Sequence, residues 1–149
     1  MVKAKSIEDF LALDKYAVVG VSKNKRKFGY IVFENMKKKG YDVYPINPKE
    51  DEILECTCYP DIKSLPEKVD GIIIVTPPEV TDKIVKEALE AGIENIWIQP
   101  QAESKAIMEF AEKNSYNIIC KQCMLMHSQP RGIHKLHKNI NKLFGTLPK

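Results

Sequence analysis

The residue types able to bind or react fall in a few places. Lys23, Lys25, Arg26 and Lys27 follow Gly20 within seven positions, after an apolar run at 16–21 and before a helix-like pattern opening near Phe28. A strand, glycine turn, basic loop and helix in that order can hold a phosphate. The first N–H groups of a helix lack internal partners, and the helix dipole favours an anion there. The expected phosphate contacts are Gly20, Val21 and Ser22, with Lys23, Arg26 and Lys27 adding charge. This turn is not G-x-G-x-x-G: only the first glycine is in its usual place, and Ser22 stands at the second. A second place is Asn47-Pro48-Lys49, at the end of the apolar run 41–46. Folds that bind NAD put an acid there for the ribose 2′-hydroxyl. A lysine suits an additional phosphate instead, on the 2′ position in NADP or the 3′ position in coenzyme A. The residues alone leave both open.

The four thiols fall as Cys56-x-Cys58 and Cys120-x-x-Cys123. A zinc site would need the two pairs to meet, and Cys-x-Cys is an unusual half-site, so no metal is assigned. His127, His134 and His137 lie in the last 23 residues. His134 and His137 share an i, i+3 spacing, but no acidic or thiol ligand is near them in sequence, and they read as a solvated helix face. No Ser–His–Asp arrangement or paired-acid motif is present, so no catalytic residue is assigned.

The elements that must position these groups alternate. A Ser6/Asp9 pair at N-cap and N3 spacing predicts a short first helix. The run 16–21 is apolar on both faces, as a buried central strand would be. Residues 28–39 carry a helical stripe at Ile31, Val32, Asn35 and Met36, ending in three lysines and Gly40. Strands are predicted at 41–46, 71–75, 96–98 and 117–120, with a short one at 57–59 after an acidic loop, 49–55. A helical turn is predicted at 61–65. Helices follow from the Thr76-Pro77-Pro78 turn to Gly92 and over 103–114, and a basic helix is predicted at 131–144. This is the pattern of a doubly wound parallel sheet in three α/β/α layers. Its ligand belongs at the carboxyl ends of the strands, near the switch point.

The chain has 149 residues, 44% hydrophobic and 29% charged, which suits one globular domain over 1–149. No apolar run approaches the ~20 residues of a membrane span, and the start of the chain lacks a signal peptide's apolar core, so a cytoplasmic protein is expected. The net charge of +3 hides an asymmetry. Residues 121–149 hold six Lys/Arg and no acid, whereas 1–120 hold 17 basic and 20 acidic residues. A basic C-terminal helical segment is expected from about residue 127. The basic loop has only Phe28 and Tyr30 beside it, a poor platform for stacking bases, so nucleic acid is not the expected partner.

Five stretches together resemble the CoA-binding-domain family, the Rossmann-like domain also found at the N-terminus of the succinyl-CoA synthetase α subunit. They are YAVVGVS (16–22), GYDVYPINP (40–48), DGIIIVTPP (70–78), AGIENIWIQ (91–99) and IICKQC (118–123). The resemblance covers roughly 6–125. It implies that Gly20, Val21 and Ser22 bind phosphate and that Asn47, Pro48 and Lys49 approach the adenosine end. It also implies that Val75, Thr76, Pro77 and Pro78 line the cofactor, with Ile98 and Gln99 at the next strand end. One departure is Pro100-Gln101-Ala102, where the family usually continues with glycine or small residues. The implied function is non-catalytic binding of coenzyme A or an acyl-CoA, as a sensor or a subunit of a larger assembly, with a protein partner or a homodimer. An NADP-binding oxidoreductase or redox regulator is one alternative, and an interaction module using the basic tail is another. Cys123 is the candidate thiol contact. It follows the last strand on the ligand side, and Lys121 nearby would favour its thiolate.

Overall fold

The computed structural model describes residues 4–128. The basic helix expected at 131–144, with His134 and His137, lies outside them. Five strands form one parallel sheet: β1 (Lys15–Val19), β2 (Asp42–Ile46), β5 (Gly71–Ile74), β6 (Asn95–Ile98) and β7 (Asn117–Ile119). Their order is β2-β1-β5-β6-β7. Tyr16 lies opposite both Val43 and Gly71, and Ile72 opposite Ile96. The chain therefore steps outward once, from β1 to β2, then returns across β1 and continues the other way. The reversal leaves a crevice between the carboxyl ends of β1 and β5.

The strands are short and nearly all apolar because both sheet faces are covered. Side chains of alternate residues leave opposite faces. Tyr16, Val18, Ile73, Trp97 and Ile119 face the layer that holds α1 (Ala4–Leu11), α2 (Phe28–Lys38) and α5 (Met124–His127). Val32, Phe33 and Met36 of α2 pack there, with an aromatic group in which the Phe10 ring meets Trp97 edge-on at 5.3 Å. Ala17, Val19, Ile72, Ile74, Ile96 and Ile98 face α3 (Pro78–Glu90) and α4 (Lys105–Lys113), through Val85, Ala88 and Ile107. The expected three-layer α/β/α architecture is present.

Three local expectations are corrected. Ser6 and Asp9 both lie inside α1, so Ser6 does not cap it. The acidic loop holds a small antiparallel hairpin, β3 (Glu52–Ile53) with β4 (Cys56–Thr57), folded inward by the burial of Ile53 and Cys58. Its turn residues Leu54 and Glu55 have φ of 49° and 63°. Such a turn usually carries Asn-Gly, and Leu54-Glu55 has neither residue. The third strand expected at 57–59 is β4 plus a single parallel bridge from Tyr59 to Ile46 on the sheet edge. Helix α4 begins after Ser104, whose hydroxyl accepts from the Ile107 N–H at 3.0 Å. The 61–65 turn is a 3₁₀ helix, Ile62–Ser64, capped by Asp61.

Candidate functional site

The crevice is built around Gly20 and Gly29. Gly20 has φ +103°, and a Cβ on it would stand 2.5 Å from the Val75 carbonyl oxygen. Both the turn and its approach to the end of β5 exclude a side chain. A Cβ on Gly29 would overlap the Gly20 carbonyl oxygen outright and lie 3.2 Å from the Val21 Cα. The first turn of α2 therefore rests directly on the glycine turn. Gly29 does the close helix–strand packing of the third fingerprint glycine, eight intervening residues after Gly20 rather than four.

The backbone donors of the turn are partly committed. The Gly20 and Val21 N–H groups both donate to the Ile46 carbonyl, at 2.9 and 3.4 Å. Gly20 therefore contributes the space of a missing side chain, while the Val21 side chain is buried in the core, and neither offers a free N–H. Beyond them the loop folds on itself. The Asn24 N–H donates to Ser22 Oγ, and the Arg26 N–H donates to Asn24 Oδ1, each at 3.0 Å. The Lys27 N–H closes onto the Asn24 carbonyl. These turns leave Lys23, Lys25, Arg26 and Lys27 exposed at the start of α2. Lys27 is the N-cap, and no side chain among the described residues caps this helix. An uncapped helix N-terminus ringed by cations favours an anion.

Asn47 ties the second strand end to this loop. Its Nδ2 donates to the Val21 carbonyl at 2.7 Å, and its Oδ1 accepts from the Lys49 N–H at 2.9 Å. Pro48 and Lys49 are exposed beyond it. The neighbouring Glu50 reaches back, and its Oε2 accepts from the Lys23 N–H at 2.7 Å. Cys58 lies beneath. Burial pushes its thiol pKa up, a backbone hydrogen bond at Asn47 acts the other way, and Glu50 and Asp51 add to the rise while Lys23 opposes it.

At the end of β5, Val75, Thr76 and Pro78 are half-buried and Pro77 is exposed. The fully buried Thr81 hydroxyl bonds both the Thr76 hydroxyl, at 2.8 Å, and the Pro77 carbonyl. The wall is thereby pinned to the first turn of α3. Ile98 and Gln99 are 0% and 1% exposed, so they shape the site from below instead of lining it. Gln99 clamps the end of β6 to the chain after β7: its Oε1 accepts from the Met124 N–H at 2.7 Å, and its Nε2 donates to Cys123 Sγ at 3.7 Å. Cys123 is half-buried at the same end of the sheet. Cys120 is a separate case. Burial first, then the Glu103 carboxylate, push its thiol up to about 11 against the opposing Lys121, so it stays protonated and unreactive near neutrality. Gln101 is exposed on the next loop at φ +75°, a glycine conformation held by a residue with a side chain.

Three features escaped sequence reasoning. Gly29 was visible only as a displaced glycine, Glu50 as one acid in an acidic run, and Thr81 as a polar residue on a helix. Among the described residues no His, Cys, Asp and Glu cluster is placed to hold a metal ion, and all four cysteines are free. No described helix is long and apolar enough to cross a membrane.

Fold and crevice define a doubly wound, Rossmann-like α/β domain with the uncapped N-terminus of α2 at the β1–β5 switch point. The CoA binding domain family matches residues 14–129, and the chain belongs to that family. It is 33% identical over 144 residues to the acetate–CoA ligase [ADP-forming] II subunit alpha of Pyrococcus furiosus, covering 89% of this chain and 30% of that subunit. It is 31% identical over 139 residues to the acetate–CoA ligase [ADP-forming] of Methanocaldococcus jannaschii, covering 88% of this chain and 19% of the ligase. The chain thus spans less than a third of the length of these relatives. A solved structure of a conserved hypothetical protein from Pyrococcus furiosus superposes with TM-score 0.72 at 41% identity, covering 76% of this chain and 98% of that one.

Proposed function

We propose that this chain binds coenzyme A or an acyl-CoA at the β1–β5 switch point, as a binding module rather than a complete enzyme, with residues 1–149 as one unit. The observation that carries the reading is the seating of α2 on the glycine turn. It sets an uncapped helix N-terminus and four cations beside the crevice. The family match supports coenzyme A as the ligand and gives the NADP reading no matching support.

The donor set fits the nucleotide end of that cofactor. Lys23, Arg26 and Lys27, with the Ser22 hydroxyl and the α2 N-terminus, hold the pyrophosphate. Lys49 pairs with the 3′-phosphate, on a strand end steadied by Asn47. The Val75–Pro78 stretch, residues 75–78, forms the wall, and Ile98 and Gln99 support it. Coenzyme A supplies a thiol when bound; Cys123 is a half-buried protein thiol at that end of the sheet. A relative named as a subunit supports a role alongside a protein partner.

Thermal shift with coenzyme A, dephospho-CoA, NADP and NAD tests this. Ligand at about 100 Kd stabilises by about 2.7 kcal/mol, or roughly 5–10 °C for a domain of this size. The expected ranking is coenzyme A above dephospho-CoA, with little from NADP or NAD. A response to NADP without one to coenzyme A overturns the proposal.

A further inference from the structure

We infer that Glu50 is an affinity-setting residue of this site: its carboxylate occupies the Lys23 N–H and must swing away when a ligand phosphate binds. The inference rests on the reading of the crevice as a coenzyme A site. The partners of the loop N–H groups differ in kind. Gly20 and Val21 donate to a sheet carbonyl, and Asn24, Arg26 and Lys27 donate to atoms of Ser22 and Asn24 within the loop. These bonds are internal to the turn and its seat on β2. Lys23 alone in this group donates to a carboxylate carried on a different loop, 27 positions away in sequence. A rotation of the Glu50 side chain frees that N–H and leaves the turn intact.

The electrostatics follow from the same contact. The exposed cations of 23–27 repel one another, and a carboxylate among them offsets that repulsion in the free protein. A phosphate brings more negative charge and more acceptor oxygens to the same place, and the two anions repel. Part of the ligand's interaction energy is then spent displacing Glu50, and removing the carboxylate returns it as affinity.

The test compares wild type with Glu50→Gln, Glu50→Ala and Glu55→Gln by calorimetric titration of coenzyme A. The last variant makes the same charge change at the exposed hairpin turn, away from the Lys23 N–H. Both Glu50 variants should bind coenzyme A about three- to tenfold more tightly, and Glu55→Gln less than twofold. Equal tightening by all three reduces the effect to bulk charge and overturns the inference. Weaker or unchanged binding in the Glu50 variants overturns it too, since Glu50 would then act only by ordering the loop. If no form binds coenzyme A, the functional reading fails, and inorganic pyrophosphate followed through the Lys23 amide resonance decides the matter. Half-saturation at lower pyrophosphate in Glu50→Gln than in wild type sustains the competition; equal or higher values refute it.

Discussion

Replacing Gly29 with alanine should destabilise this protein, although the same change inside an ordinary helix is favourable. Gly29 is the second residue of α2, and helix propensity alone predicts a gain of about 1 kcal/mol on going to alanine. The packing opposes it. The new Cβ would overlap the Gly20 carbonyl oxygen, with the Gly20 carbonyl carbon at 3.0 Å and the Val21 Cα at 3.2 Å. All three are backbone atoms of a turn fixed by the Ile46 and Val75 contacts, so no side chain can rotate to relieve the clash. Overpacking of this kind costs about 1–3 kcal/mol, and relief requires α2 to back away from β1. The upper part of that range exceeds the propensity gain, leaving a net loss of about 1–2 kcal/mol and a Tm lower by roughly 2–8 °C. Thermal and urea denaturation of the two proteins measure it. A second readout follows from the proposed function: the stabilisation by coenzyme A should shrink, because the helix N-terminus moves off the crevice. An unchanged or raised Tm in Gly29→Ala would refute the reasoning, since it would mean that α2 does not rest on the glycine turn.

Lys49→Glu should lower coenzyme A affinity about tenfold and abolish its advantage over dephospho-CoA, read by calorimetry with both ligands; a retained advantage places the 3′-phosphate elsewhere. Cys123 should take up coenzyme A from coenzyme A disulfide. Its thiolate attacks one sulfur, a Cys123–CoA disulfide forms, and the other half leaves as the coenzyme A thiolate. Intact mass spectrometry of wild type and Cys123→Ser checks this, and no adduct on wild type, or an undiminished one in Cys123→Ser, excludes that residue. Tyr44 and Lys15 both bond the Glu67 carboxylate, and the Tyr44 hydroxyl is pushed up to about 12, first by its hydrogen bond to Glu67. A raised folded-state value means a contribution fully present below pH 10 and lost as pH rises from 10 through 12. Over that window, stability in urea should fall more steeply for wild type than for Tyr44→Phe; parallel curves would dismiss the contact. Glu67, held below the usual carboxylate range chiefly by Lys15 and then by Tyr44, works in the opposite direction, and its contribution fades as pH falls below about 4.5.

What the sequence alone determined is the alternation of strands and helices, and with it the end of the sheet at which a doubly wound fold opens its crevice. Runs such as 71–74 are apolar throughout because both faces are buried. Helix stripes mark the residues that cover those faces, and glycines and prolines mark where each element stops. Signals of that kind are local, and they located Gly20, Asn47, Lys49 and the Thr76-Pro77-Pro78 turn. They misread Ser6 as a cap, and they missed the hairpin whose turn is Leu54-Glu55. The tertiary structure decided which loops meet. Placing β1 between β2 and β5 puts the α2 N-terminus on Gly20 and seats Glu50 on the Lys23 N–H. Placing β7 beside β6 lets Gln99 grip Cys123 and Met124. Periodicity records which face of an element is buried, whereas contacts between loops depend on strand order, and no single stretch of this chain encodes that order.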